Sequence, residues 1–574
     1  MMIKRNRPTI DGGSSFFQGF SYSMNRFTSA LKMASYFCMA GILPVSLIAA
    51  KHASGLGRPN IIVMMVDDMG FSDIGCYGGE IQTPHIDALA RGGLQFTQFY
   101  NTGRCCPTRA SLLTGLHPHQ TGIGHMTETP AGPSPMSDHP YQGYLNEQCV
   151  TLAEVLKKAG YSTLMTGKWH LGYHDKNNWP LQRGFEKYFG IISGASHFMN
   201  PQPPRGLTYM NEPVSPGPGF YTTDAFTEYA MQFIRESTTE ANEQPFFLYL
   251  AYNAPHWPLH AKSDDLAKYE GKYRGGWHAL MEKRLEKQRA MGLIDPSWQA
   301  APHEGPEWGA LDEKTRHLLD LRMAAYAACI DSVDQNIGRL VAFLKHQQLY
   351  ENTLLFFLSD NGACQEGGIL GSGSELEVRD PLLSHGTAGP RCGQAWANAS
   401  NTPFRYYKHF VHEGGMSTPL IAHWPAGIPW HLRGSFVRQM GFLPDFMPTL
   451  IELAQTQYPA ERAGVRVHPL AGKSLLPLLQ GEQTPVHQEP VYWEHEGNRA
   501  MRDGKWKLVW SVKGPWELYD MDADRTEMHD LASKEPERLR DMVGHWESWA
   551  KSVGVSFPEP INYYKAYKQS QGNQ

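Results

Sequence analysis

Five short apolar runs constrain the fold of this chain more than anything else in it. The stretch Asn60-Ile-Ile-Val-Met-Met-Val66 is apolar from Ile61 to Val66 without alternation. A strand of that kind is buried on both faces, as in a sheet covered by helices on either side. Residues 246–252 and 353–358 have the same character, and 94–100 and 161–165 read as further strands with polar residues among the apolar ones. Helical patterns separate them. Pro84 opens a short helix behind Thr83, a second spans 151–159, a third ends at 231–236, and a long one covers roughly 317–347. Alternating strands and helices predict an α/β fold built on a large, mainly parallel sheet. The runs also end alike, in Asp67-Asp68, in the loop before Cys105, in Gly167-Lys168-Trp169-His170, in Asn253-Ala-Pro-His256 and in Ser359-Asp360-Asn361-Gly362. Sites in open α/β sheets form at the carboxyl ends of strands, so these five ends are expected to converge.

The loop after the second run reads Asn101-Thr-Gly-Arg-Cys-Cys-Pro-Thr-Arg-Ala-Ser-Leu-Leu-Thr-Gly115. Pro107 suits a first helical position and Gly115 a helix stop. That register puts Cys105 just ahead of a helix N-terminus, where free N–H groups favour anions. It puts Arg109 in the first turn, the wrong sign for the helix dipole. A cysteine flanked by Arg104 and Arg109 at such a position reads as a reactive thiol, against the plainer reading of a packed cysteine pair. Asp67, Asp68, Asp360 and Asn361 offer hard oxygen ligands from two strand ends, the kind calcium takes. One Asp-Asp pair alone is a solvated turn; two clusters at buried strand ends reverse that reading.

The spacing Cys105-x-Pro107-x-Arg109, continued by Ala-Ser-Leu-Leu-Thr-Gly115, resembles the signature of the type I sulfatases in the alkaline phosphatase superfamily. Gly167-Lys168-Trp-His170-Leu-Gly, Ala-Pro-His256-x-Pro and Thr402-Pro-Phe-Arg-Tyr-Tyr-Lys408-His-Phe-Val-His-Glu-Gly-Gly415 follow in the family's order. The resemblance implies the alkaline-phosphatase-like fold, whose large sheet is mixed and flanked by helices, with a smaller C-terminal α+β domain. It implies that Cys105, not Cys106, is converted to formylglycine by a maturation enzyme. Asp67, Asp68, Asp360 and Asn361, with residue 105, would bind one divalent cation, usually calcium. Related phosphatases place a His where Asn361 stands and bind zinc, so Asn361 favours calcium. Arg109, Lys168, His170, His256 and Lys408 would be catalytic. One hydroxyl of the formylglycine hydrate would attack sulfur to give a covalent sulfate. His256, with Lys408, would protonate the leaving alcohol, and His170 would help the second hydroxyl expel sulfate. His409 and His412 read as structural; His260 and His385 are candidate substrate contacts.

Composition bounds the rest. The 574 residues, 41% hydrophobic and 19% charged, describe a globular chain, and a net charge of −5 gives no footprint for nucleic acid. Eight cysteines without a CxxC pair exclude a zinc finger and a dense disulfide framework. Residues 1–50 read as an N-terminal extension with a signal peptide whose apolar part is 36–50, implying a periplasmic or secreted protein, and no later run is long enough to span a membrane. The catalytic domain is expected over 58–482. Over 483–574, short strands and one amphipathic helix predict an antiparallel subdomain. Two stretches look inserted. Residues 262–311 are charged and Trp-bearing, with short helices at most. Residues 363–401 are rich in Gly, Ser and Pro and have no periodicity, which predicts a loop forming one wall of the substrate pocket. Arg379, Asp380, His385 and Arg391 are its candidate sugar contacts. The expected function is hydrolysis of sulfate monoesters on a sulfated carbohydrate. The alternatives are a phosphonate or phosphate ester hydrolase on the same scaffold, and a binding protein that has lost catalysis.

Overall fold

The computed structural model describes residues 57–127, 140–238, 244–512 and 514–556, all within one compact unit. The signal-peptide reading of residues 1–50 lies outside the described residues.

Eleven strands form the main sheet: β1 (Asn60–Val66), β2 (Leu94–Tyr100), β3 (Ser162–Lys168), β4 (Lys187–Ile191), β5 (Leu207–Tyr209), β6 (Glu212–Val214), β7 (Phe246–Ala251), β8 (Thr353–Ser359), β9 (Ser417–His423), β10 (Ser435–Val437) and β11 (Gly441–Phe442). Their order is β10-β2-β9-β8-β1-β7-β3-β4-β5-β6, with β11 also on β2. Strand β1 is central and parallel to β7 and β8. Strand β9 runs antiparallel between β8 and β2, so the sheet is mixed. The five predicted runs all point the same way, and their carboxyl ends share one edge. Along β1, Ile62, Met64 and Val66 enter the core on one face while Ile61, Val63 and Met65 enter the core on the other. The unbroken apolar run is the direct consequence of that double burial.

The predicted helices are present. The second is Leu152–Lys158, held by a reciprocal cap between Thr151 and Glu154. The long one is Glu313–His346, capped by Asp312. No helix among the described residues is long and apolar enough to cross a membrane.

Both inserted stretches hold more structure than expected. Residues 262–311 contain a 15-residue helix, Gly276–Ala290. Its buried face includes Trp277, Leu280 and Met281 but also Arg284 and Gln288, and those two polar residues hide the apolar period. Arg284 is paired with Asp73 at 2.7 Å and Glu80 at 2.8 Å, and Gln288 Nε2 donates to the carbonyls of Tyr77 and Thr402. Residues 363–401 contain helices Glu375–Arg379 and Gln394–Ser400. Trp396 from the latter packs edge-on against Trp277 and Trp308 of the other insertion, so the two stabilise one another.

After a small hairpin, β12–β13 (Glu461–Arg462 and Val465–Arg466), the chain forms an antiparallel meander of β14 (Val491–His495), β15 (Asn498–Asp503), β16 (Trp506–Trp510) and β17 (Trp516–Asp520). The helix Pro536–Ser552 covers one face through Trp546 and Met542. The other face, with Val491, Trp493 and Val509, packs on Tyr100, Met416 and Phe442 of the main body.

Candidate active site

Strand β2 runs into the loop at 101–104, and the helix Cys105–Thr114 begins at Cys105 itself. Pro107 is the third helical residue rather than the first, a position whose N–H also has no intrahelical partner. Arg109 therefore sits in the second turn, away from the positive end of the dipole. Gly115 ends the helix in a left-handed conformation, φ 72°.

The two cysteines face different surroundings. Cys106 is fully buried in the apolar core, its Sγ 3.6 Å from the His125 carbonyl oxygen and from Met126 Sδ, and burial pushes its thiol well up. Cys105 lies against charge. A hydrogen bond with Cys106, and the nearby Lys168 and His170, hold its thiol well below the ordinary range despite burial. Cys105 is itself only 2% exposed. The sulfurs of both cysteines and a ring nitrogen of His170 lie within 4.8 Å of one another. Burial brings His170 down to about 3, so its imidazole is neutral and able to accept a proton.

Around Cys105 the five strand ends converge. Arg109 is fully buried: Nη2 donates to Asp360 Oδ2 at 2.7 Å, and Nη1 donates to the Lys168 carbonyl at 3.0 Å and to Tyr249 Oη at 3.3 Å. Lys168 Nζ donates to Asp67 Oδ2 at 2.6 Å. Lys408 Nζ lies 2.7 Å from Asp68 Oδ1 and 2.9 Å from Oδ2. His256 holds Nε2 3.5 Å from Asp68 Oδ2, with Nδ1 2.6 Å from the Trp257 carbonyl oxygen. Asp68 and His170 both adopt left-handed backbone, φ 71° and 57°. Such strain in non-glycine residues concentrates at functional sites.

The acidic group suits a cation. Asp67, Asp68 and Asp360 are buried within a few ångströms of one another. Burial raises Asp67 and Asp360; at Asp68 burial is again the largest effect, but Lys408 and His256 together overcome it and lower the carboxyl. Asp67 Oδ1 and Asn361 Oδ1 have no hydrogen-bond donor among the described residues. Buried oxygens without donors, next to carboxylates that burial disfavours, fit a hard divalent ion.

Several contacts were not legible beforehand. Tyr249 and Tyr326 sit in apolar stretches that mark them only as core, yet Tyr249 fixes Arg109 and Tyr326 Oη donates to the Asp68 carbonyl at 3.1 Å. A cavity opens beside Asp68, lined by Trp257, Glu366, Arg391 and Trp396 among others. The Arg391 guanidinium lies 4.1 Å from the Trp257 ring centroid, and Glu366 pairs with Arg104 at 3.2 Å. Of the four loop candidates only Arg391 lines this cavity. Arg379 pairs with Glu270 and Glu375 on the surface, Asp380 caps a turn, and His385 is exposed. His260 is buried against His197, ring centroids 4.0 Å apart, outside the cavity lining. His409 and His412 pair with Glu496 and Glu517 of the C-terminal sheet, in line with structural roles.

Comparison with known proteins agrees with this geometry. The sulfatase family model matches residues 59–456, and the model for the N-sulphoglucosamine sulphohydrolase C-terminal region matches 404–543. The chain is similar to an uncharacterized sulfatase of Schizosaccharomyces pombe, 33% identical over 87% of this chain and 94% of that protein. It is also similar to an arylsulfatase of Klebsiella aerogenes, 34% identical over 76% of this chain and 95% of that protein. The solved structure of Ps i-CgsB in complex with k-i-k-neocarrahexaose superposes with a TM-score of 0.64 at 26% identity, covering 86% of this chain and 93% of that one. The chain thus belongs to the sulfatase family, a sulfuric ester hydrolase with the alkaline-phosphatase-like fold.

Proposed function

We propose that this sulfatase hydrolyses sulfate monoesters carried on a carbohydrate, with Cys105 matured to formylglycine and calcium as its metal ion. Family membership implies a formylglycine and a divalent cation. The carrying observation is geometric: Cys105 stands with His170 within 4.8 Å, beside the buried carboxylates Asp67 and Asp68, with which Lys168 and Lys408 pair. When bound, the cation supplies Lewis-acid charge, and the formylglycine hydrate supplies the attacking hydroxyl.

The protein's own groups take the remaining parts. Asp67, Asp68, Asp360 and Asn361 hold the cation, and an all-oxygen set favours calcium over softer-ligand metals. Lys168 and Lys408 supply the positive field that a sulfate ester needs to accept a nucleophile. Arg109 is spent on Asp360, the Lys168 carbonyl and Tyr249, so it positions the acidic cluster. His256 has Nδ1 committed to the Trp257 carbonyl, and burial brings the ring down to about 4, so Nε2 must first take up a proton before it can deliver one to the departing alcohol. His170, neutral beside residue 105, takes the proton in the second half of the cycle.

The cavity beside Asp68 receives the alcohol. Its Trp257 ring, with Arg391 stacked on it, and the Glu366–Arg104 pair give an apolar surface edged by hydrogen-bonding groups; the enclosed space is only about 20 Å³, so a sugar ring would lie across its mouth rather than inside it. Trp257 and Arg391 come from the two segments flanking the metal cluster, supporting residues 363–401 as one wall of the pocket. Maturation requires a formylglycine-generating partner enzyme. The apolar segment ahead of Lys51 supports export to a periplasm or the exterior, where glycans are met.

The test is the purified, matured enzyme on 4-nitrophenyl sulfate, 4-nitrophenyl phosphate and defined monosulfated saccharides. Preference for the sulfate over the phosphate, with hydrolysis of at least one saccharide, is expected. Preference for the phosphate would favour a phosphate ester hydrolase.

A further inference from the structure

A cleft of about 570 Å³ opens on the His170 side of the site. Ile192 and Ser193, the first residues after β4, line it. The His170 amide donates to the Ile192 carbonyl at 3.1 Å. Gly194 follows directly, and a Cβ on it would come within 2.5 Å of His170 Nε2. The chain that lines the cleft is therefore the chain that backs the imidazole.

Two aromatic residues, Tyr173 and Trp179, form one side. The Trp179 indole N–H donates to the Tyr173 carbonyl at 2.9 Å, and the Tyr173 hydroxyl donates to the Pro204 carbonyl at 2.7 Å. Both rings are thus tied to backbone. In the turn between β5 and β6, also in the lining, Asn211 Oδ1 is buried with no donor among the described residues. The Asn211 carbonyl accepts from Lys176 Nζ at 3.0 Å, and that ammonium is also 5.5 Å from the Trp179 ring centroid.

Fixed aromatic rings and an unpaired acceptor in one cleft suit an amphipathic ring that has an apolar face and hydroxyl donors, as a pyranose has. A purely apolar ligand would leave Asn211 Oδ1 unsatisfied. A polyphosphate would find one lysine, already shared with Glu212 at 3.6 Å. We propose that this cleft binds the saccharide residues next to the one carrying the scissile sulfate, so that the preferred substrate is an oligosaccharide or polysaccharide rather than a monosaccharide. The inference rests on the sulfated-carbohydrate reading above.

The experiment compares wild type with Tyr173→Ala and Asn211→Ala on 4-nitrophenyl sulfate, on sulfated monosaccharides and on matching tetrasaccharides from carrageenan, chondroitin sulfate and heparan sulfate. In wild type, kcat/KM for the best tetrasaccharide should exceed that for its monosaccharide by about tenfold or more, and each variant should lose most of that advantage. Hydrolysis of 4-nitrophenyl sulfate should be unchanged in both variants, which also reports that they fold. Equal wild-type rates on tetrasaccharide and monosaccharide would overturn the cleft inference while leaving the carbohydrate reading standing. Wild-type hydrolysis of aryl sulfate with no saccharide cleaved would overturn both. Equal losses on all substrates in both variants would make Tyr173 and Asn211 structural and also overturn it.

Discussion

Asn361 Nδ2 donates to Asp68 Oδ1 at 2.7 Å, and Asn361 Oδ1 is buried without a donor among the described residues. A divalent cation between Asp67, Asp68 and Asp360 would give that oxygen an electropositive partner. Asn361→Leu should weaken cation binding by about 100-fold or more, read as metal content after dialysis against buffered calcium. Thermal stability of the wild type should rise with added calcium and that of the variant should not. Equal metal content in the two proteins would remove Asn361 from the ligand set.

Cys105 and Cys106 are adjacent but not interchangeable. Cys105→Ala should abolish turnover with the melting curve nearly unchanged. Cys106→Ala should retain formylglycine and activity but lose about 1 kcal/mol of stability, because its sulfur fills an apolar site. Peptide mass spectrometry of the matured wild type should find the aldehyde at residue 105. Full activity with both thiols intact would rule the modification out as a requirement.

Of the four candidate sugar contacts in the loop, Arg391 is the one that lines the cavity, stacked on Trp257. Arg391→Ala should lower kcat/KM for a sulfated saccharide by about tenfold or more while leaving 4-nitrophenyl sulfate within about twofold. Arg379→Ala, a surface change, should leave both alone. Equal loss on both substrates in the Arg391 variant would mean that the loop supports the catalytic core instead.

Glu413 joins the main body to the C-terminal sheet, with Lys507 Nζ at 2.8 Å and Arg525 Nε at 2.8 Å. Burial alone would raise its carboxyl, but Lys507 and Arg525 outweigh burial and bring it down to about 2. A depressed carboxyl stabilises the folded state above its unfolded pKa and loses that contribution as pH falls through the folded value. Stability to urea should therefore decline between about pH 4.5 and pH 2, in part through this residue. Glu413→Gln should cost about 3 kcal/mol at pH 7, since buried Arg525 loses its carboxylate while Lys507 keeps only Glu527 at 2.7 Å, and its stability should fall less steeply with acid. An unchanged acid slope would assign the decline to other carboxylates.

Sequence alone determined the parts of this protein that depend on local pattern. Continuous apolar runs imply strands buried on both faces, and β1 is such a strand, its alternate residues feeding two cores. The polar ends of five runs met at one edge because parallel strands place their carboxyl ends together. Tertiary structure decided whatever depends on a buried polar group finding a distant partner. The helix Gly276–Ala290 escaped notice because its inward face carries Arg284 and Gln288, made tolerable only by Asp73, Glu80 and two remote carbonyls. Arg379 and Arg391 were equal candidates in the same loop, and only folding turned one to surface carboxylates and the other onto Trp257. Cys105 and Cys106 differ by one step along a helix, yet one meets Lys168 and His170 and the other meets core. Apolar burial is written in the period of a segment; the burial of a charge is permitted by residues hundreds of positions away, and no local pattern records it.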